Sequence, residues 1–187
     1  CFRLASREQS RQVESGLYLK HWETITSDPE ALAIVKGVKI PFVQKPHQVL
    51  KPVTTTTSES EKIPDTEVQN LLQKGVIFQT TLSDEGFYSC LFVILKKDGE
   101  MRPVFYLSLL NNFIENKHFQ MENLSSIKTL LNPGDWMTKS DLRDAYLIVA
   151  VDPQSQKFLR FIWKDKIYQF QALPFGLNIA PLVSIYF

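Results

Sequence analysis

Neither sign of charge dominates this sequence. Its 21 Lys and Arg face 20 Asp and Glu, a formal net charge of +1. That excludes an overall basic signature for nucleic acid, although a local basic groove balanced by acidic surface stays compatible with it. Cysteine is scarce: Cys1 and Cys90 lie far apart and form no CxxC pair. A disulfide framework is thereby excluded, and the usage fits a reducing compartment. An intracellular location is expected, with cytoplasm and nucleus both open. His21, His47 and His118 are too widely spaced to suggest a zinc site. No apolar run reaches the roughly 18 residues needed to span a bilayer, so no membrane partner is expected. The N-terminus lacks a signal-peptide pattern. What is present is apolar bulk. The 187 residues are 44% hydrophobic and include 13 Phe, 6 Tyr and 3 Trp, enough for a packed core and against disorder.

Along the chain, residues 1–15 read as a polar lead-in, followed by an amphipathic stretch with Leu17, Leu19, Trp22 and Ile25. Asp28 and Pro29 predict a helix N-cap and first position, with the helix running to Lys36 and stopping at Gly37. Residues 38–43 read as extended, limited by Pro41. Residues 44–62 read as a loop or linker. From Pro64, Val68, Leu71 and Leu72 share one helical face, and Gly75 ends it. Residues 87–97 and 101–107 predict two strands joined at Asp98-Gly99, a strong turn signal. A short helix is expected over 123–131. Strands are expected over 136–142 and 147–151, and a hairpin over 158–163 and 167–170. Leu173 to Gly176 reads as a turn, with a helix starting from Asn178. The fold class is α+β with short hairpins. The chain starts at Cys1 rather than Met and ends in an apolar run, Ile185-Tyr186-Phe187, so both ends read as cuts through a longer protein.

The sharpest motif is Asp141-Leu142-Arg143-Asp144-Ala145-Tyr146. With Trp136 and Met137 before it and Leu147 to Val151 after it, Asp141 is expected at the end of a buried strand. A carboxylate there needs a partner, and a divalent metal such as Mg2+ is one. Read alone, the Asp-x-x-Asp spacing also fits a solvated turn or an N-cap. Lys96-Lys97-Asp98-Gly99 with Arg102-Pro103-Val104 puts basic groups on both arms of a hairpin. Such a hairpin can clamp phosphates or be a plain polar tip. Leu109 to Ile114 carries little chemistry of its own. Gly176 would let the backbone approach a ligand closely.

Taken in order, these motifs resemble the reverse transcriptase family. The series continues through Phe158-Leu159-Arg160-Phe161, Gln169-Phe170, Leu173-Pro174-Phe175-Gly176-Leu177 and Ala180-Pro181. The resemblance covers about Gly75 to Pro181. Gly16 to Phe42 is similar to the segment that precedes this domain in DIRS-like retroelements. The resemblance implies the fingers and partial palm of a right-hand polymerase over residues 63–187, with an incomplete sheet. Residues 1–62 would be a lead-in and linker.

It also implies roles. Asp141 would be the first catalytic carboxylate, bridging two Mg2+ ions (Mn2+ as an alternative), with the Leu142 carbonyl on one of them. Asp144 and Ala145 would lie under the triphosphate through backbone N–H groups. Tyr146 would be a steric gate against a 2′-hydroxyl. Lys96 and Arg102 would hold the triphosphate. Phe175 and Gly176 would line the nucleotide and template side, with core packing the plain alternative for Phe175. The implied partners are an RNA template, a DNA primer and deoxynucleoside triphosphates, with RNase H or recombinase domains a further option in a longer polyprotein. Two departures stand out. Tyr106 occupies the position where the family pattern has Asp, and Leu182 to Phe187 do not follow the family's continuation. The family's aromatic-x-Asp-Asp hairpin, which supplies the other metal ligands, does not occur in these 187 residues. An isolated chain of this sequence is therefore expected to be an inactive polymerase fragment. A non-catalytic nucleic-acid-binding remnant of a decayed retroelement is the alternative.

Overall fold

A computed structural model of the chain describes residues 19–48, 62–95, 101–119, 124–138 and 144–184. Helix α1 (Pro29–Lys36) forms as its caps dictate: the Asp28 carboxylate accepts from Glu30 N, and Gly37 closes the helix at φ 137°. Helix α2 (Lys62–Gln73) buries Pro64, Val68 and Leu71 on one face. It is followed by β1 (Ile77–Thr80), β2 (Tyr88–Leu95) and β3 (Met101–Tyr106). Short helices follow at Ser108–Asn111 and Leu124–Leu130, a 3-10 turn at Ala145–Ile148, and a single helical turn at Pro153–Gln156. Strands β4 (Arg160–Trp163) and β5 (Lys166–Phe170) and a last helical turn, Ala180–Val183, complete the order.

The strands make one open five-stranded sheet in the order β1-β5-β4-β2-β3. The expected Asp98-Gly99 turn and residues 96–97 lie outside the described residues, while both expected strand pairs are antiparallel, with Leu95 opposite Met101 and Trp163 opposite Lys166. They join through a parallel β2–β4 contact, so the sheet is mixed. The Lys164-Asp165 turn has positive φ at both residues (47° and 60°), the twist a two-residue hairpin loop needs.

Register sorts the side chains into two faces. Leu91, Phe105, Phe161, Tyr168, Phe170 and Ile77 share one, and α2 packs on it. Phe105 lies edge-on to Phe161 and Phe170, with ring centroids 4.8 and 4.9 Å apart. The buried Trp163 indole donates to Asp65 of α2 at 2.7 Å, and Lys164 donates to the other oxygen of that carboxylate. Val38 and Ile40 belong to the same buried cluster as Val68, Leu91 and Phe161. Val38 bridges Val151, and Phe42 bridges Ile114.

Two expectations about strands need correcting. No strand was expected at β1. Its four residues are too short to signal on their own and pair with β5 some 90 positions downstream. The pair of strands expected around the acidic motif is not there among the described residues. Residues 135–138 carry no regular structure, and Trp136 is fully exposed; the rest of the strand expected over 136–142 lies outside the described residues. Within the motif Asp144 is left-handed, and Ala145–Ile148 coils into a 3-10 turn. Only Ala150 and Val151 bridge neighbours. The apolar, β-branched run there fits a half-buried surface, and tertiary context decided its conformation.

Candidate nucleotide-binding site

Of the residues expected to form a site, Asp141, Leu142 and Lys96 lie outside the described residues. Asp144, Ala145, Tyr146, Phe175 and Gly176 are brought together. The strap that follows the acidic motif is fixed by backbone bonds. Leu173 N donates to Val149 O at 2.9 Å, Val151 N to Gln171 O at 2.8 Å, and Gln171 N to Val76 O at 2.9 Å. These bonds set residues 144–151, 171–177 and the end of α2 side by side.

Asp144 adopts φ 57°, ψ 35°, a conformation that Asp tolerates better than most residues. Its carbonyl accepts from Leu147 N at 2.8 Å, which opens the 3-10 turn. Its carboxylate sits 2.7 Å from Lys74 Nζ. Glu67, one helical face along from Lys74, is half-buried. Desolvation pushes its pKa above the ordinary carboxylate value, Lys74 pulls it down, and Asp144 adds to the rise. Tyr146 meets Phe175 edge-on, centroids 5.0 Å apart. Phe175 is 50% exposed, so one side of this aromatic pair stays open to solvent rather than joining the core.

Gly176 has φ 95°. A Cβ there would stand 3.7 Å from Phe105 O, an ordinary contact, so conformation and not space calls for glycine. Asn111 staples this turn: its Nδ2 donates to Gly176 O at 2.9 Å, and its Oδ1 accepts from Asn178 N at 3.0 Å. Sequence reasoning passed over Asn111. The signal available was a polar side chain inside an otherwise apolar segment.

Arg102 lies on β3, opposite Ile94 and exposed. Phe105, whose carbonyl flanks Gly176, is three positions along the same strand, about 10 Å away. Arg102 shares its sheet face with Val104 and Tyr106 on β3 and with Cys90, Phe92 and Ile94 on β2. The Phe92 and Tyr106 rings are 6.1 Å apart, and Tyr106 is exposed. Among the described residues, no group of three or more His, Cys, Asp or Glu is placed to hold a metal ion. The donors that the resemblance implies for Mg2+, Asp141 and Leu142, lie outside the described residues, and Asp144 is paired with Lys74. No helix among the described residues is long and apolar enough to cross a membrane.

The fold defines a class. It is similar to solved structures of a foamy viral protease-reverse transcriptase. Against the complex with dsDNA the TM-score is 0.57 at 16% identity, covering 80% of this chain and 28% of that one. Against the native prototype foamy virus protein it is 0.56 at 19% identity, covering 97% and 24%. In sequence, the chain is 25% identical over 144 residues to Polyprotein P3 of Commelina yellow mottle virus, covering 71% of this chain and 8% of that protein. It is 23% identical over 176 residues to the Gag-Pol polyprotein of Feline leukemia virus, covering 88% and 10%. It is also 23% identical over 122 residues to the Transposon Tf2-7 polyprotein of Schizosaccharomyces pombe, covering 65% and 9%. The chain thus spans about a tenth or less of these relatives. No protein-family model matches it.

Proposed function

We propose that this chain is the fingers and first part of the palm of an RNA-directed DNA polymerase from a retroelement, DIRS-like by its upstream segment. Residues 63–187 would form the polymerase part and 1–62 the segment that precedes it. The observation that carries the reading is the meeting of Tyr146 with Phe175, against a glycine turn stapled by Asn111, directly after the Asp141 to Tyr146 run. Tyr146 and Phe175, 29 positions apart in the motif series, meet as one open aromatic pair. Such a pair can bound a sugar ring, and the backbone N–H groups beside it can face phosphate.

Asp141 and the Leu142 carbonyl are the residues that would hold Mg2+, which would neutralise charge on the triphosphate and the leaving group. The chain's own described residues position and select. Tyr146 would close the pocket beneath the sugar. Arg102, with Lys96, would approach the triphosphate from β3 as a bidentate donor. Template, primer and nucleotide would be the partners. As an isolated polypeptide the 187 residues would not polymerise, because they contain no aromatic-x-Asp-Asp segment to complete the metal site.

Primer extension on an RNA template tests this in two arms. The 187-residue polypeptide incorporates no deoxynucleotide. A polypeptide that carries this sequence together with an aromatic-x-Asp-Asp segment does so, and Asp141→Asn lowers its rate by at least about 100-fold. Incorporation by the first polypeptide overturns the inactivity, and failure of the second overturns the polymerase reading. A second reading, nucleic-acid binding without catalysis, is favoured by the open sheet face that joins Arg102 to the Phe92–Tyr106 pair. Bases stack on such rings without regard to sequence.

A further inference from the structure

The strap that carries Tyr146 is held differently at its two ends. Its far end, Val149 to Val151, is locked into backbone bonds with residues 171–173. Its near end begins at Asp144, a non-glycine residue at φ 57° that makes no side-chain capping bond to its own 3-10 turn. Among the described residues the tie there is Lys74, 2.7 Å from the Asp144 carboxylate.

Lys74 stands on a rigid mount. Its N–H donates to Asn70 O at 2.9 Å, which continues α2 by one residue. Gly75 follows at φ 61° with its N–H on Leu72 O. The Gln171 side chain donates to Gly75 O at 3.0 Å. The end of α2 is therefore bolted to the segment that leads into Phe175 and Gly176. Lys74 joins that frame to the first residue of the strap.

We infer that Lys74 is a positioning residue for the nucleotide pocket: its ion pair holds Asp144 left-handed, so that the 3-10 turn presents Tyr146 against Phe175. The nucleotide part of this inference rests on the polymerase reading. The conformational part does not. An exposed ion pair contributes little to global stability. Its effect is local, on which backbone conformation Asp144 occupies. Glycine adopts the left-handed region without help, so it can stand in for the tie.

Two measurements separate the parts. Hydrogen exchange on the 187-residue chain reads the amides of Leu147 and Val149, which close the turn. Lys74→Met speeds their exchange about fivefold, Lys74→Arg leaves it near the unsubstituted rate, and Lys74→Met with Asp144→Gly recovers most of the protection. A role for Lys74 only in packing or in pairing with Glu67 gives no recovery with glycine. In the extension-competent polypeptide, Lys74→Met raises KM for deoxynucleotides about fivefold, changes kcat less and narrows the preference over ribonucleotides. Unchanged exchange at both amides overturns the inference and leaves the polymerase reading standing. Loosened exchange with unchanged KM and sugar preference overturns the nucleotide role. No incorporation by the unsubstituted polypeptide overturns the polymerase reading, and the nucleotide role with it.

Discussion

Two carboxylates on α2, two positions apart, are pushed in opposite directions. Asp65 accepts from Lys164 and from the buried Trp163 indole, and these bonds hold its pKa below the ordinary value. Glu67 is half-buried, and desolvation raises it, only partly offset by Lys74. The signs follow from linkage. Asp65 contributes stability above its unfolded value of 3.8, lost as pH falls through the lowered folded value. Glu67 does the reverse: its contribution is complete below its unfolded value of 4.5 and is lost as pH rises through the raised folded value. Folding thus places Glu67 where its charged form is poorly solvated. Glu67→Gln is expected to stabilise the chain at neutral pH, with the gain shrinking to nothing as pH falls toward 4.5. Urea midpoints across that range check it. A variant no more stable than the unsubstituted chain at neutral pH would sink the desolvation argument. The sequence showed both acids on one helix, but the environment of Asp65 depends on Trp163 and Lys164, nearly a hundred positions away, and that of Glu67 on its burial and on Lys74 and Asp144.

At the scale of elements, local chemistry was legible wherever a cap or turn residue set the backbone. Asp28, Pro29 and Gly37 marked α1 to the residue, and Lys164-Asp165-Lys166 marked the tip of the second hairpin, although Lys166 already belongs to β5. It failed where pairing is distant, as at β1, and where apolar residues take a 3-10 turn, as at 145–148. Positive-φ glycines test how much of an element rests on backbone conformation and how much on space. Gly176 (φ 95°) meets only ordinary contacts, so Gly176→Ala is expected to cost about 1–2 kcal/mol from the left-handed conformation alone. Gly86 (φ 142°) is tighter. A Cβ there would fall 2.6 Å from Lys157 O, a backbone atom that accepts from Phe87 N at the entry to β2. That carbonyl cannot swing aside without breaking the entry of β2 beside β4. Gly86→Ala is therefore expected to cost clearly more than Gly176→Ala, read as urea midpoints at equal m-value. Equal costs at the two positions would refute the steric part of the argument. Only Gly176→Ala is expected to disturb the Asn111 staple and with it the Tyr146–Phe175 contact.

For the whole molecule, a net charge of +1 does not say on which surface the charges stand. Strand register places Arg102 and Arg160 on the face of the sheet opposite α2, and no Asp or Glu stands on that face in the described strands. The two arginines differ. Arg160 is engaged with Gln169 Oε1 at 2.7 Å and with Glu85 O at 3.0 Å, whereas Arg102 is exposed. Tyr106 adds a second ring beside Phe92 on this face. Cation and rings should contribute to nucleic-acid binding in separable ways. A phosphate contact releases counterions and sets the salt dependence, with a slope of about −0.7 in log K against log salt for each contact to a single strand. A stacked base is worth roughly 1–3 kcal/mol and adds no such slope. Fluorescence anisotropy with a single-stranded RNA across a salt series is expected to show binding at low salt by the 187-residue chain. Arg102→Ala should flatten the slope by about one contact. Tyr106→Ala should weaken binding at every salt concentration and leave the slope unchanged. A parallel slope change from both variants would mean that the face acts through charge alone, and no binding at low salt would remove nucleic acid as its occupant.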